Sequence, residues 1–349
     1  MTQNPKIDIL SLDLGELEKK LVELGEPKYR AKQIYSWIVK GAWGQEMKNI
    51  PTTLREKLDQ VFEFRLPRVK TKLVSKIDGT VKYLFELIDG ECIESVFMRY
   101  EHGNTLCISS QVGCRMGCKF CASTLAGRVR DLTPAEMLGQ IISAQKDTGE
   151  RVSNVVMMGI GEPLDNYDNV IKFLNLVSDE NNLNIGLRHI SLSTCGIVDK
   201  IDKLSNEGLP VTLSISLHAY ENSVRSEIMP INKKYSIEEL LDACQRYFEK
   251  TGRRISFEYT LISGKNDTVE GAKALSCLLK KHIKSTPHVN LIPLNEVKET
   301  NLSTSKNVNV FKNKLLSLGI NATVRRRLGS DINASCGQLR RQAKEGNNQ

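Results

Sequence analysis

From Cys107 onward the chain alternates between short, β-branched apolar runs and longer amphipathic stretches, and this alternation limits the fold more than any other feature. The runs SNVVMMGI, LRHISLST, VTLSISLH, RISFEYTLI, HVNLIPLN and ATVRR read as strands, with NVIKFLNLV and GAKALSCLLKKHI as helices between them. Strand and helix alternating over about 230 residues predict a parallel α/β sheet or barrel. Active residues in such folds sit where strands end and loops begin. Thr133, Pro134 and Glu136 supply an N-cap, a first-turn proline and a capping glutamate for a helix whose apolar face is Met137, Leu138, Ile141 and Ile142.

Two other patterns precede the alternation. LGELEKKLVELG ends at Gly25 and KYRAKQIYSWIVKG at Gly41, and Thr53 with Glu56 predicts a capping box before a third helix carrying Leu58. Lys28, Arg30 and Lys32 lie beside Tyr29, Tyr35 and Trp37. That combination suits nucleic acid, or a solvated basic face over a small aromatic core, and the residues alone favour the second. From Arg68 to Ser110 the period becomes two, with Asp78-Gly79 and Asp89-Gly90 as tight turns, which predicts a β-meander. In its third strand Glu94 shares a face with Cys92, Val96 and Met98. A carboxylate there is either solvated at an edge or kept in an apolar site for proton chemistry.

With 349 residues, 40% of them hydrophobic and 26% charged, the chain can build a sizeable core, which excludes disordered and fibrous classes. No run approaches the roughly 18 apolar residues of a membrane span. The opening MTQNPKIDIL lacks a basic segment followed by an apolar one, so a cytoplasmic protein is expected. Forty-nine Lys plus Arg against 41 Asp plus Glu give +8, a bias toward an anionic partner. Nine cysteines in a reducing compartment point to metal or redox chemistry rather than structural disulfides.

The strongest chemical signal is CRMGCKFC, which sets Cys114, Cys118 and Cys121 in a Cys-x3-Cys-x2-Cys array. Three thiolates can hold three irons of a cubane and leave the fourth open to substrate or cofactor, whereas an electron-carrying cluster normally has four. A structural zinc site wants four closed ligands at paired spacings, and no partner pair accompanies these three.

That array, with Phe120 before its last cysteine and an α/β alternation after it, resembles the radical S-adenosylmethionine (SAM) superfamily. SSQVGCRMGCKFCAS, MMGIGEPLDN, LSTCGIV, SISLHA, RSEIMPINKKY, NLIPLN and DINASCGQL together resemble the dual-specificity RNA (adenine-C2) methyltransferases of the RlmN type. The N-terminal KYRAKQIYSWI fits as well. The resemblance implies an incomplete (βα)6 radical-SAM barrel with an N-terminal helical domain and a β-hairpin extension. The divisions are a helical RNA-contact domain at 1–66, a β-meander extension at 67–104, the radical-SAM core with a C-terminal methyl-carrier loop at 105–341, and a polar tail at 342–349.

It also implies roles. Cys114, Cys118 and Cys121 would hold one 4Fe–4S cluster whose open iron is chelated by SAM. Gly161, Glu162, Ser193, Ser216, Leu217, His218 and Asn295 match cofactor-contact positions. Cys336 matches the methyl-carrying cysteine, Cys107 its resolving partner through a transient disulfide, and Glu94 the proton acceptor. The reaction implied spends two SAM molecules to methylate C2 of adenosine 2503 in 23S rRNA and of adenosine 37 in tRNAs. Adenine C2 is electron-poor, so a radical must make the bond. Arg325, Arg326, Arg327, Arg340 and Arg341 around the Cys336 loop would meet phosphates. A flavodoxin or ferredoxin is the expected electron donor, no membrane is involved, and a monomer is expected. The alternatives are C8 methylation of adenine in 23S rRNA, as in the Cfr type, and a metal-stabilised RNA-binding module without turnover.

Overall fold

The computed structural model describes residues 6–295, 301–332, 334 and 339–340. Its N-terminal module comprises β1 (Ile7–Asp8), α1 (Leu14–Glu23), α2 (Tyr29–Ile38), α3 (Thr52–Val61) and β2 (Phe62–Glu63), with β1 and β2 paired in parallel. Asp13 caps α1 in a reciprocal box with Glu16, and α2 buries Ala31, Ile34, Tyr35 and Ile38, one stripe at helical spacing. These side chains join Leu17, Leu21, Leu54, Leu58 and Phe62 in a second core, which Ala135 and Ile142 complete from the main part of the chain. The capping box expected at Thr53 does not form. α3 begins at Thr52 behind Pro51, two residues before the start that a Thr53 cap requires, which leaves Thr53 inside the first turn. Tyr35 is likewise no surface aromatic, because it is buried and its hydroxyl donates to the Leu12 carbonyl at 3.1 Å.

Next come β3 (Arg68–Val74), β4 (Val81–Glu86), β5 (Cys92–Met98), β6 (Thr105–Cys107), β7 (Gln111–Gly113) and β8 (Arg128–Asp131). The alternation follows as α4 (Pro134–Thr148), β9 (Asn154–Met157), α5 (Tyr167–Ser178), β10 (Ile190–Thr194), α6 (Val198–Leu204) and β11 (Thr212–Ser216). It continues with α7 (Asn222–Ile228), α8 (Ile237–Thr251), β12 (Ile255–Leu261), α9 (Val269–His282), β13 (His288–Pro293), α10 (Val308–Ser317) and β14 (Asn321–Val324). The capping box at Thr133 and Glu136 opens α4 as its sequence predicts.

One ten-stranded sheet organises the molecule, in the order β14-β13-β12-β11-β10-β9-β6-β5-β4-β3. From β6 through β9 to β14 every neighbour is parallel, each step made by a helical crossover. This is six strand–helix units followed by a seventh strand, an incomplete barrel whose end strands do not pair. The meander is antiparallel and extends the same sheet, because β5 pairs with β6 and sets Val96 opposite Cys107. Along most of the parallel strands buried apolar residues alternate with half-buried polar ones, as Ile190 and Leu192 do with Ser191 and Ser193 on β10, so one face of the sheet is apolar core and the other is more polar.

Candidate active site

Cys114, Cys118 and Cys121 ride on the loop between β7 and β8, which pair across its mouth. That mouth is pinched at Gly113, where φ is +81° and a Cβ would stand 1.9 Å from the Gly127 carbonyl oxygen. The Cys114 N–H donates to that oxygen at 3.0 Å, and the Thr124 hydroxyl donates to the carbonyls of Cys118 (3.2 Å) and Cys121 (2.9 Å). Lys119 N–H donates to Ile228 at the end of α7. The loop therefore has a fixed shape before anything binds to it.

The three thiols face a cavity of about 210 Å³ at the carboxyl ends of the parallel strands, as the fold type requires of an active site. Gly161, Glu162, Ser193, Ser216 and His218 share its wall, with Phe120, Met157, Met158 and Met229 as apolar lining. Burial pushes the Cys114 thiol up to about 12 and raises Cys118 as well, so a bound cation is what would convert them to thiolates.

The other contact positions divide into three kinds. Glu162 is buried and already engaged, accepting from the N–H groups of Leu164 (3.0 Å) and Cys195 (2.7 Å), and burial raises its carboxyl. Gly161, at φ +111°, is demanded by the protein itself, since a Cβ there would meet Gln111 at 2.7 Å. His218 is neutral and locked: burial, with a smaller push from Arg225, lowers it to about 3, and its Nδ1 accepts from Thr260 N–H at 2.9 Å. Its φ of +58° is uncommon for a non-glycine residue, though His tolerates it better than most, and its ring meets Phe120 edge-on at 4.9 Å. Leu217 is buried outside the lining and serves through its backbone, donating to Glu258 and accepting from Arg225.

Asn295 is not in this cavity. It lines a second one of about 230 Å³ with Cys107, Val96, Met98, Arg326 and Arg327, and accepts from Arg327 at 3.3 Å. The two cavities adjoin, sharing Met158, Ile292 and Arg325 on their walls.

Glu94 lines neither. It is fully buried on β5, its Oε2 3.1 Å from the Nζ of Lys82, itself 1% exposed, and its Oε1 accepts from the Arg340 N–H at 2.7 Å. Of the two readings open for this carboxylate, the solvated edge is excluded. Cys336 lies outside the described residues, as do Arg341 and the tail at 342–349. The segments on either side of Cys336 are clipped to the meander: Asp331 accepts from Ser75 (2.7 Å) and Lys76 N–H (2.8 Å), and Gly329 N–H donates to Asp78 (2.8 Å). Beyond Cys336, Arg340 is buried and pairs with Glu91 at 3.1 Å, so it is an anchor and not the phosphate contact its sequence position predicts. Arg326 and Arg327 are exposed. Among the described residues no disulfide is formed, and the Cys107–Cys336 pairing involves a residue beyond them.

Sequence reasoning missed Lys82, Arg225 and Glu258. Glu258 lines the first cavity, held by Ser256 (3.0 Å) and Asn290 (2.7 Å), and burial raises its carboxyl. A lone acid inside the apolar run RISFEYTLI was the signal available for it.

Residues 7–64 match the family described as the ribosomal RNA large subunit methyltransferase N-terminal domain, and residues 108–273 match the radical SAM superfamily. A curated protein of Clostridium novyi, named "Probable dual-specificity RNA methyltransferase RlmN", is 54% identical over 338 residues, 96% of this chain and 98% of its own length. A Clostridium perfringens protein of the same name is 56% identical, with 96% of each chain covered. A crystal structure of a radical SAM methyltransferase from Sphaerobacter thermophilus superposes with a TM-score of 0.90 at 39% identity, covering 95% of this chain and 98% of that one. Two adjoining cavities at the open end of a (βα)6 sheet, the first walled by a three-cysteine loop, thus occur in a chain that belongs to the RlmN-type radical SAM dual-specificity RNA methyltransferases.

Proposed function

We propose that this enzyme methylates C2 of adenosine 2503 in 23S rRNA and of adenosine 37 in tRNAs, through a methyl group carried on Cys336. The observation that carries the reading is the pair of adjoining cavities, one walled by Cys114, Cys118 and Cys121 and the other by Cys107. The donor set suits an iron–sulfur group: three thiols on one pre-shaped loop, in apolar surroundings. Three ligands on one loop suit a 4Fe–4S group with one open iron better than a closed four-ligand zinc site.

When bound, the cluster and SAM supply the one-electron chemistry that generates a radical from SAM. The chain does the rest. Gly161, Glu162, Ser193, Ser216 and His218 shape the pocket for SAM, with Leu217 contributing backbone, while Met158, Ile292 and Arg325 form the passage to the second cavity. Asn295 lines the second cavity and is, in this reading, the cofactor-contact residue on the methyl-carrier side. Glu94 is the proton acceptor in this reading; because it lines neither cavity, the proton displaced from C2 reaches it through an intervening group, and its carboxylate is held by Lys82 and the Arg340 N–H. The Cys107 thiolate then attacks the Cys336 sulfur: the S–S bond forms as the S–CH2 bond to the modified base breaks, the electron pair passes to that carbon, which takes up a proton to become the methyl group, and external thiols reduce the disulfide. A flavodoxin- or ferredoxin-type donor, a cytoplasmic location and a monomeric state belong to the same proposal. Among the described residues no helix is long and apolar enough to cross a membrane.

Anaerobically purified protein should contain about four irons and four sulfides per chain, and Cys118→Ala should lose most of both. The same preparation should cleave SAM on reduction. Stoichiometric zinc without iron would sink the reading.

RNA contact by the N-terminal module makes a separate prediction. Lys28 and Lys32 are exposed, Tyr29 is 57% exposed, and Arg30 lies over its ring at 5.1 Å. Replacing Lys28, Arg30 and Lys32 together with Gln should weaken RNA binding and flatten the slope of log affinity against log salt by about 2–3, with iron content unchanged. An unaltered slope in a filter-binding titration would return this face to plain solvation.

A further inference from the structure

We propose that Arg225 is the buried counter-charge of the thiol site, a positioning residue whose guanidinium field favours the reduced, more negative state of the group held by Cys114, Cys118 and Cys121. This rests on the reading of those thiols as cluster ligands.

Arg225 is fully buried on α7. Its Nε donates to the Leu217 carbonyl at 3.0 Å, its Nη2 to the carbonyls of Cys195 (2.7 Å) and Ser216 (3.1 Å), and its Nη1 to the Asn232 side chain at 3.1 Å. Every acceptor is neutral. Among the described residues no Asp or Glu pairs with it, although buried arginine is ordinarily matched by a carboxylate. Burial lowers it only to about 10, so it is charged at neutral pH. A charge kept in the interior on neutral dipoles alone calls for an anion that the protein itself does not supply.

The surroundings say where that anion belongs. Two of the four acceptors, Cys195 and Ser216, line the cluster cavity. α7 ends against the cysteine loop, where Lys119 N–H donates to Ile228 at 2.9 Å and Gly117 lies against Pro230. Arg225 does not line the cavity, so it acts through its field and touches neither SAM nor RNA.

The sign follows from charge. Reduction adds one electron, drawn from an external donor of the flavodoxin or ferredoxin class, and breaks no bond. A fixed cation in a low-dielectric interior stabilises the more negative product, so its removal makes reduction harder.

The test is an electron paramagnetic resonance titration of the anaerobically reconstituted full chain, with iron content and circular dichroism measured alongside. Arg225→Met should retain iron and shift the one-electron reduction equilibrium at least tenfold toward the oxidised state, about 59 mV, while Arg225→Lys stays close to the parent. Asn232→Asp supplies the missing carboxylate without removing the arginine, and should shift the midpoint in the same direction even where the Arg225 variants do not fold. An unmoved midpoint in Arg225→Met that retains iron, an equal shift in Arg225→Lys, or an unmoved midpoint in Asn232→Asp would overturn the proposal and leave Arg225 as a tie between strand ends. A parent protein that binds no iron would overturn the reading of the thiols instead.

Discussion

Cys107→Ala protein isolated from cells should carry RNA attached through Cys336, in a linkage that survives denaturation and collapses to a short nucleotide stub on ribonuclease treatment. Each molecule should complete at most one addition, because the bond between the carrier and C2 opens only when a second thiolate reaches the Cys336 sulfur. The structure gives this prediction its force. Cys107 ends β6 opposite Val96, and among the described lining residues of the second cavity it is the one thiol. The other described site thiols, Cys114, Cys118, Cys121 and Cys195, stand on the wall of the first cavity, so none of them substitutes. Adding Cys336→Ala should abolish the adduct, since nothing then carries the methyl. Denaturing gels with and without ribonuclease decide the matter, and normal turnover by the Cys107 variant would make both thiols ordinary core residues.

Lys82→Met should destabilise the protein by about 3–5 kcal/mol, far beyond the roughly 0.5 kcal/mol of a surface substitution. Lys82 and Glu94 are 1% and 0% exposed and 3.1 Å apart, so the variant deprives a fully buried carboxylate of that cation. The double variant Lys82→Met/Glu94→Gln should recover most of the loss, because Gln keeps an acceptor for the Arg340 N–H while the charge disappears. Urea denaturation of the parent and both variants measures it. Activity should stay lost in the double variant even as stability returns, which separates the chemistry of Glu94 from its structural pairing. A cost near 0.5 kcal/mol for Lys82→Met would show that the pair contributes nothing measurable.

Local signals were legible in this sequence wherever local physics decides the outcome. Period-two and strand–helix alternation gave the meander and the parallel sheet, and the Thr133 box opened its helix where expected. The Thr53 box failed because the helix starts behind Pro51, two residues early, a shift too small for spacing to reveal. At the site, the cysteine loop and the strand-end residues could be read from motifs. What could not be read were pairings across distance. Lys82 meets Glu94 only through the antiparallel register of β4 on β5, and Asp78 accepts from Gly329, 251 residues away. Arg225 and Arg340 look like surface charges in the sequence, and only the fold shows that both are buried. Asn295 belongs with Cys107 because β13 ends on that side of the passage.

The meander has one more consequence, for the size of what can enter. β5 occupies the free edge of β6, so β14 has no strand to close upon, and the ring of parallel strands stays permanently unsealed. The strand ends of a closed barrel form a complete rim around the site, above an interior packed with side chains. An RNA is a long polyanion of which a single base is to be modified, so the chain on either side of that base must clear the rim. In an unsealed sheet the base can be laid in sideways while the chain runs on past the protein in both directions. One short antiparallel pairing thereby leaves that rim with a gap, on the side where a substrate longer than the site can continue.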